Sequence, residues 1–401
     1  MTGNDDPRSG RVPAPWRGAR PGLVILLCCG LLAAAGFTQA PADLPRTVAE
    51  LGDFDYAVRM EASRRIRRLD PAVAVPLLVE AATGHQDSYV QFRAAVLLAG
   101  FGGAPAREWF RHALDAPNDR VRAAAYEAAQ HDPDPALGPR LLAALDRETS
   151  EFVRPALLRA LAAHDADPAV REQLVRDIDR GEGLFRATVI EALGERGAGY
   201  AVEPLVRIAS ETGPLRDDAL LALGRIGDRR ALRVIAVAQD EAAGTLQPIV
   251  SAAACLLGID CPAQASYVRQ ALEYGRLSGG GDQVLLRAAA TAAAALAEAG
   301  QAGVLDALIA NGIGAVDPAR APLALAVGSV ALRDPARVLA ALSVREDLEP
   351  ALLLLRDAFD MLDEDLAEER FFVLLRSTYW DESQDPRTRK AAETAIGMLE
   401  Y

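Results

Sequence analysis

The chain has 401 residues, of which 51% are hydrophobic, 25% charged and only 5% aromatic. That hydrophobic share excludes a disordered chain. The scarcity of Phe, Tyr and Trp excludes an ordinary single-core enzyme domain and leaves the interior to Ala and Leu, which means closely packed helices. Lys390 is the only lysine, and 56 acids outweigh 43 basic residues for a formal net charge of −13, so the surface repels nucleic acid backbones and no nucleic-acid partner is expected.

Residues 1–42 read as an export element. Arg8, Arg11, Arg17 and Arg20 precede an uncharged run from Gly22 to Phe37 that ends near Ala40-Pro41-Ala42, a small-x-small site of the kind signal peptidase cuts. The run is shorter than the roughly 20 residues that comfortably span a bilayer. A cleaved signal peptide is expected, with an uncleaved single-pass anchor as the alternative. In both cases the basic flank stays inside and residues 43–401 lie in an extracytoplasmic compartment, periplasm or cell envelope, touching the membrane only through the N-terminal segment. Of the four cysteines, Cys255 and Cys261 lie beyond this segment, and an oxidising compartment either pairs them or leaves two small buried thiols. No His follows His164, so a closed zinc site beside them is not expected.

From residue 43 on, one phrase repeats. A hydrophobic-Arg pair followed by Ala and Leu at helical spacing occurs at Val58-Arg59, Phe92-Arg93, Val121-Arg122, Val153-Arg154, Phe185-Arg186 and Leu215-Arg216, a period of about 31 residues. It returns at Leu286-Arg287, with Pro248 in the Arg position of the unit between. Leu220, Leu223 and Ile226 show the apolar spacing of an amphipathic helix, and a second helix of like character separates successive phrases, as in Ala201 to Gly213. Asp70-Pro71, Asp167-Pro168 and Asp334-Pro335 are helix starts, and Gly197 and Gly227 are helix stops. A hairpin of this length cannot bury both apolar faces alone, but a stack of copies buries a continuous core. The expected fold is all-α: an α-solenoid of about eleven stacked helical hairpins, filling residues 43–401 as one domain.

The pattern of an acid, hydrophobic-Arg and then ALG-x-x-GD, clearest from Leu215 to Asp228, resembles the HEAT repeat family in its short bacterial, phycobilisome-lyase-like form. The resemblance spans roughly residues 50–400. It implies a HEAT-like superhelix that works as a scaffold, with the second helix of each hairpin lining the concave face; Tyr126, Glu127, Arg159, Glu191, Glu195, Asp218 and Arg225 would then form a binding surface.

Candidate chemistry is weak beside structural readings. The recurring arginines have an acid three or four residues before them, at Asp55, Asp119, Glu151 and Glu182, which predicts ion pairs within and between units. His131-Asp132 and His164-Asp165 stand 33 residues apart and suggest a shared metal, but each His also suits a helix C-terminus. The resemblance adds that HEAT-built iron hydroxylases use repeated His-Glu pairs, which this chain lacks. Ser278-Gly279-Gly280-Gly281 reads as a turn, since a phosphate loop needs a Lys that is absent there. Asp360, Asp365, Glu368 and Glu369 before Phe371-Phe372 read as the solvated cap of a terminal repeat. No catalytic residue, metal or cofactor is expected. The predicted function is an exported, non-catalytic scaffold for protein–protein binding, with a basic partner favoured by the acidic surface. The alternative implied by the resemblance is a lyase or isomerase acting on a bound chromophore, or another HEAT-built enzyme such as a glycosylase.

Overall fold

Sequence periodicity becomes an unbroken succession of helices in the computed structural model, which describes residues 43–401 except 242, 279–281, 363, 364, 400 and 401. The segment 1–42 expected to direct export and the glycines of the 278–281 loop lie outside the described residues. Among the described residues there is no strand, and 22 α-helices pair in chain order into eleven hairpins. The first half comprises α1 (Leu44–Ala49) with α2 (Tyr56–Arg67), α3 (Pro71–Gly84) with α4 (Ser88–Phe101), α5 (Gly103–Ala113) with α6 (Asp119–His131), α7 (Gly138–Arg147) with α8 (Arg154–Ala163), and α9 (Pro168–Asp177) with α10 (Gly183–Glu195). The second comprises α11 (Val202–Ser210) with α12 (Arg216–Ile226), α13 (Leu232–Glu241) with α14 (Gln247–Leu256), α15 (Cys261–Leu277) with α16 (Gln283–Glu298), α17 (Val304–Ile313) with α18 (Arg320–Arg333), α19 (Pro335–Ser343) with α20 (Leu348–Leu362), and α21 (Asp365–Trp380) with α22 (Pro386–Met398).

The helix boundaries follow the expected punctuation. Asp70 and Asp167 accept from the N–H groups of Ala72 and Ala169 at 2.8 and 2.9 Å with Pro at the first helical position, and Gly227 closes α12 at φ 73°. The even-numbered helices stack on one another as an inner layer, and the odd-numbered helices cover them. The ALG phrase is a packing device. A Cβ on Gly194 would lie 2.8 Å from Ala222 Cα, and one on Gly224 would lie 2.6 Å from Ala253 Cα, so only glycine lets α10, α12 and α14 approach this closely. Leu157, Leu193, Leu223 and Leu296 fill the layer between, all at 0% exposure.

The recurring arginines do not pair with the acids three or four residues upstream, but pairs between units do form, Arg122 with Glu148 at 2.9 Å and Arg216 with Glu241 at 3.3 Å. Asp55 instead caps α2 through the Ala57 N–H at 2.8 Å. The arginines donate to carbonyls at the end of the preceding helix: Arg59 to Asp53 O at 2.7 Å, Arg122 to Ala116 O at 2.9 Å, Arg186 to Ile178 O at 2.7 Å and Arg216 to Ala209 O at 3.2 Å. Each Arg thereby satisfies C-terminal carbonyls that have no intrahelical partner. In the unit where Pro248 takes the Arg position, the neighbouring Gln247 donates to Gln239 O at 3.1 Å and does the same work.

Regular stacking ends at α21. This helix crosses the inner layer and packs against α4, α6 and α18, while α22 packs against α19. The C-terminal acids are therefore not a solvated cap. Glu369, 2% exposed, receives a two-nitrogen grip from Arg67, 8% exposed, and Asp365 pairs with Arg93. Gly100 of α4 leaves the space that Glu369 occupies, since a Cβ there would meet the carboxylate at 2.5 Å. The C-terminal hairpin is thus bound to the first two hairpins, and the concave face of unit Leu44–Tyr401 is closed over.

Candidate functional site: a lumen on the concave face

Curling brings the last turns of the inner helices together around a cavity of about 680 Å³, lined among others by Glu127, His131, Arg159, Glu195, Arg225 and Glu298. Its walls are stitched across the superhelix. Arg225 of α12 donates to Glu298 of α16 at 3.0 Å, and Arg333 of α18 donates to Glu298 at 3.0 Å and to Glu191 of α10 at 2.9 Å and also grips Glu195. Burial, and then the nearby Glu191 and Glu298, raise the Glu195 carboxyl pKa, while Arg333 pulls it down. Asp218 on the same layer is pushed up to about 6 by desolvation, with Asp217 and Glu191 adding repulsion.

Of the residues expected on the concave face, Glu127, Arg159, Glu195 and Arg225 line the cavity, whereas Glu191 and Asp218 do not, Glu191 reaching it only through its pair with Arg333. Tyr126 does not. It is 1% exposed, with its hydroxyl donating to Leu114 O at 3.3 Å, because its position on α6 points at α5 rather than inward. Expectation missed Glu298, Arg333 and Arg370. The first two had a legible signal, since His131, Glu195, Arg225, Glu298 and Arg333 all occupy the last turn of an inner helix. Arg370 had none, because α21 enters the lumen against the repeat register.

The two histidines separate. His164, 4% exposed, ties two units together: its Nδ1 lies 2.7 Å from Ala160 O, and its Nε2 accepts the Asp134 N–H at 3.2 Å. His131 ends α6 and opens onto the cavity, where desolvation, Arg370 and Arg159 lower its pKa to about 4. Among the described residues no group of three or more His, Cys, Asp or Glu is placed to hold a metal ion. Next to the lumen, and sharing His131 and Arg370 with it, is an apolar slot of about 180 Å³ walled by Ala106, Phe110, Leu114, Ala125, Ala129 and Leu366. Cys255 at the end of α14 and Cys261 at the start of α15 meet across the intervening turn as a disulfide, with Cα atoms 4.0 Å apart.

The edges of the array differ. Where an odd helix turns into its even partner, Phe54, Phe152, Leu184, Leu277, Val316 and Val344 are exposed, Phe54 fully and Leu184 at 74%. At the opposite edge, between hairpins, the exposed large hydrophobic side chains are fewer, Val73 at 46% and Met361 at 43%, and Asp caps and glycines occupy the turns. Among the described residues no helix is long and apolar enough to cross a membrane.

Layered inner and outer helices, Arg-clamped turns and glycine-mediated stacking define a helical-repeat solenoid. The HEAT repeat model matches residues 44–130 and 75–162, so this stretch consists of HEAT repeats. Solved structures with a similar fold include the CpcE–CpcF complex of phycocyanin lyase from a Nostoc species, at 22% identity over 56% of this chain and 91% of that one, TM-score 0.35. Human deoxyhypusine hydroxylase is similar at 20% identity over 67% of this chain and 98% of that one, TM-score 0.29. Importin beta is similar at 14% identity over 90% of this chain and 52% of that one, TM-score 0.38. Among curated proteins none matches.

Proposed function

We propose that the chain is an exported, non-catalytic scaffold that binds another protein in the cell envelope, and that it does so with the apolar edge rather than the concave face. The observation that carries this reading is the exposure of Phe54, Phe152, Leu184, Leu277, Val316 and Val344 on the same edge of the first, fourth, fifth, eighth, ninth and tenth hairpins. Apolar side chains displayed together are what a partner surface covers. The stack holds them on one edge, so several weak contacts add. Net charge of −13 favours a basic partner and speeds its encounter. The concave face is closed by α21, which removes it as a groove for a folded partner. Export follows from the basic flank and the apolar run of residues 1–42, and it supplies the oxidising compartment in which the Cys255–Cys261 bond persists.

The test is affinity capture of the tagged chain from its own envelope fraction, beside a variant carrying Phe54→Ser, Phe152→Ser and Leu184→Ser. Exposed positions tolerate such changes within about 0.5 kcal/mol each, so the variant folds. One stoichiometric protein retained by the natural chain and lost by the variant is the expected result, with the bait's N-terminus beginning near Ala42 if the signal is cleaved. Equal retention by both chains, or recovery of the bait from the cytosol alone, overturns the reading.

A further inference from the structure

We propose that the lumen and the adjoining slot form one binding site for a small amphiphilic anion, a monocarboxylate with an aliphatic or single-ring body. Its carboxylate would meet Arg159, Arg370 and His131, and its body would enter the slot.

The lumen is lined by four arginines and four carboxylates, but the arginines are not paired alike. Arg225 and Arg333 spend their donors on Glu298, Glu191 and Glu195. Arg159 and Arg370 line the same lumen without a hydrogen bond or ion pair to any described residue. Their positive field is felt, since both push the His131 imidazole toward its neutral form. The acids within reach are engaged: Asp334 with Arg337 at 2.8 Å, Asp132 with Arg107 at 3.7 Å, Glu195 with Arg333, Glu298 with Arg225 and Arg333, and Glu127 in an interaction of its own. Two guanidinium groups without counter-charge, facing a partly desolvated cavity, attract an anion, and the planar fork of Arg suits a carboxylate.

The slot decides what the anion carries. It is lined by alanines, Phe110, Leu114 and Leu366 together with Arg107, Arg111, Asp132, His131 and Arg370, its accessible lining is mainly apolar, and it holds about 180 Å³. A dry apolar cavity of about 150 Å³ accommodates a benzene ring, so this one takes a body of about six to eight carbons. A body of that kind displaces water that finds few hydrogen-bond partners on such walls. The slot is formed by α5, α6 and α21 together, so it exists only because α21 closes the array.

Octanoate titrated into the full-length chain by calorimetry is the test, with octanol and inorganic phosphate as the two half-probes. The expected result is one octanoate per chain, with octanol and phosphate each binding at least tenfold more weakly. Arg159→Gln and Arg370→Gln should each weaken octanoate at least tenfold while leaving the melting temperature of the unliganded chain unchanged. Ala128→Leu, which fills the slot, should abolish octanoate binding. Phosphate binding as tightly as octanoate, octanoate binding that ignores both Arg replacements, or no octanoate binding at millimolar concentration overturns the proposal. None of these outcomes bears on the apolar edge, which lies on the other side of the array.

Discussion

The middle of the array and its closing seam are held together by different physics. From α8 to α16 the inner helices stack through Ala, Leu and Gly, with Leu157, Leu193, Leu223 and Leu296 fully buried and Gly194 and Gly224 admitting the next helix at van der Waals distance. Those contacts join neighbours and repeat with the sequence. At the seam, α21 meets α2 and α4 across roughly 300 residues of chain through Arg67–Glu369 and Arg93–Asp365, with Arg67 also 4.8 Å from the centre of the Phe372 ring. A stack of neighbours tolerates substitution unit by unit, because each interface is a local sum. A seam closed by a buried ion pair does not, because losing one partner strands the other.

The largest effect is therefore expected at the seam. Glu369→Ala leaves Arg67 buried without its carboxylate and should cost about 3–5 kcal/mol in urea unfolding. The double replacement Arg67→Met with Glu369→Leu should recover most of that loss, and a double variant as unstable as the single would show that the seam depends on more than charge compensation. Next comes the stack. Gly224→Ala drives a Cβ to 2.6 Å from Ala253 Cα and should cost about 1–3 kcal/mol despite the gain in helix propensity. The same change at Gly397 in α22, where a Cβ would meet nothing within 4 Å, should stabilise by about 0.5–1 kcal/mol. Equal effects at the two glycines would remove close approach as the reason for the ALG phrase.

Smaller effects come from pH, and they oppose one another. Asp218 keeps its proton in the folded chain up to about pH 6, above its ordinary value of 3.8, so it contributes stability that is lost as pH rises through that window. His131 has a folded pKa of about 4 against an ordinary 6.5, so the unfolded chain binds the extra proton and stability is lost as pH falls from 6.5 toward 4. Asp218→Asn should raise stability above pH 6 relative to pH 4, and His131→Gln should raise it near pH 5 relative to pH 7. Thermal melts across this range check both signs. Reduction of Cys255–Cys261, which closes a short loop between adjacent helices, is expected to lower the melting temperature least of all, and mass spectrometry of the alkylated chain reads the bond itself.

The repeat period, the hairpin punctuation and the ALG phrase were sufficient to specify an all-α stack of about eleven hairpins, because each is a local or nearest-neighbour feature. The period gives the register, Asp-Pro and Gly fix the ends of helices, and Ala and Gly set how closely helices approach. The same register placed Glu127, Arg159, Glu195 and Arg225 on the inner layer. It misplaced Tyr126 by one helical face, since a phenol at an Ala-rich position turns toward whichever space accepts its ring. The arginine clamps were misread because a carbonyl leaves no mark in the sequence, whereas an acid four residues away does.

Tertiary structure alone decided the closure. Superhelical curl is the sum of small rotations between successive hairpins, and no single unit encodes the total, so the meeting of α10 with α18 and of α4 with α21 cannot be read from any local phrase. Closure turned the acids Asp365 and Glu369 inward, carried Arg370 into the lumen and built the slot beside it. Local sequence thus determined what each hairpin is and how it joins the next. The three-dimensional path of the whole stack determined which charges face one another across the lumen and which were left without a partner.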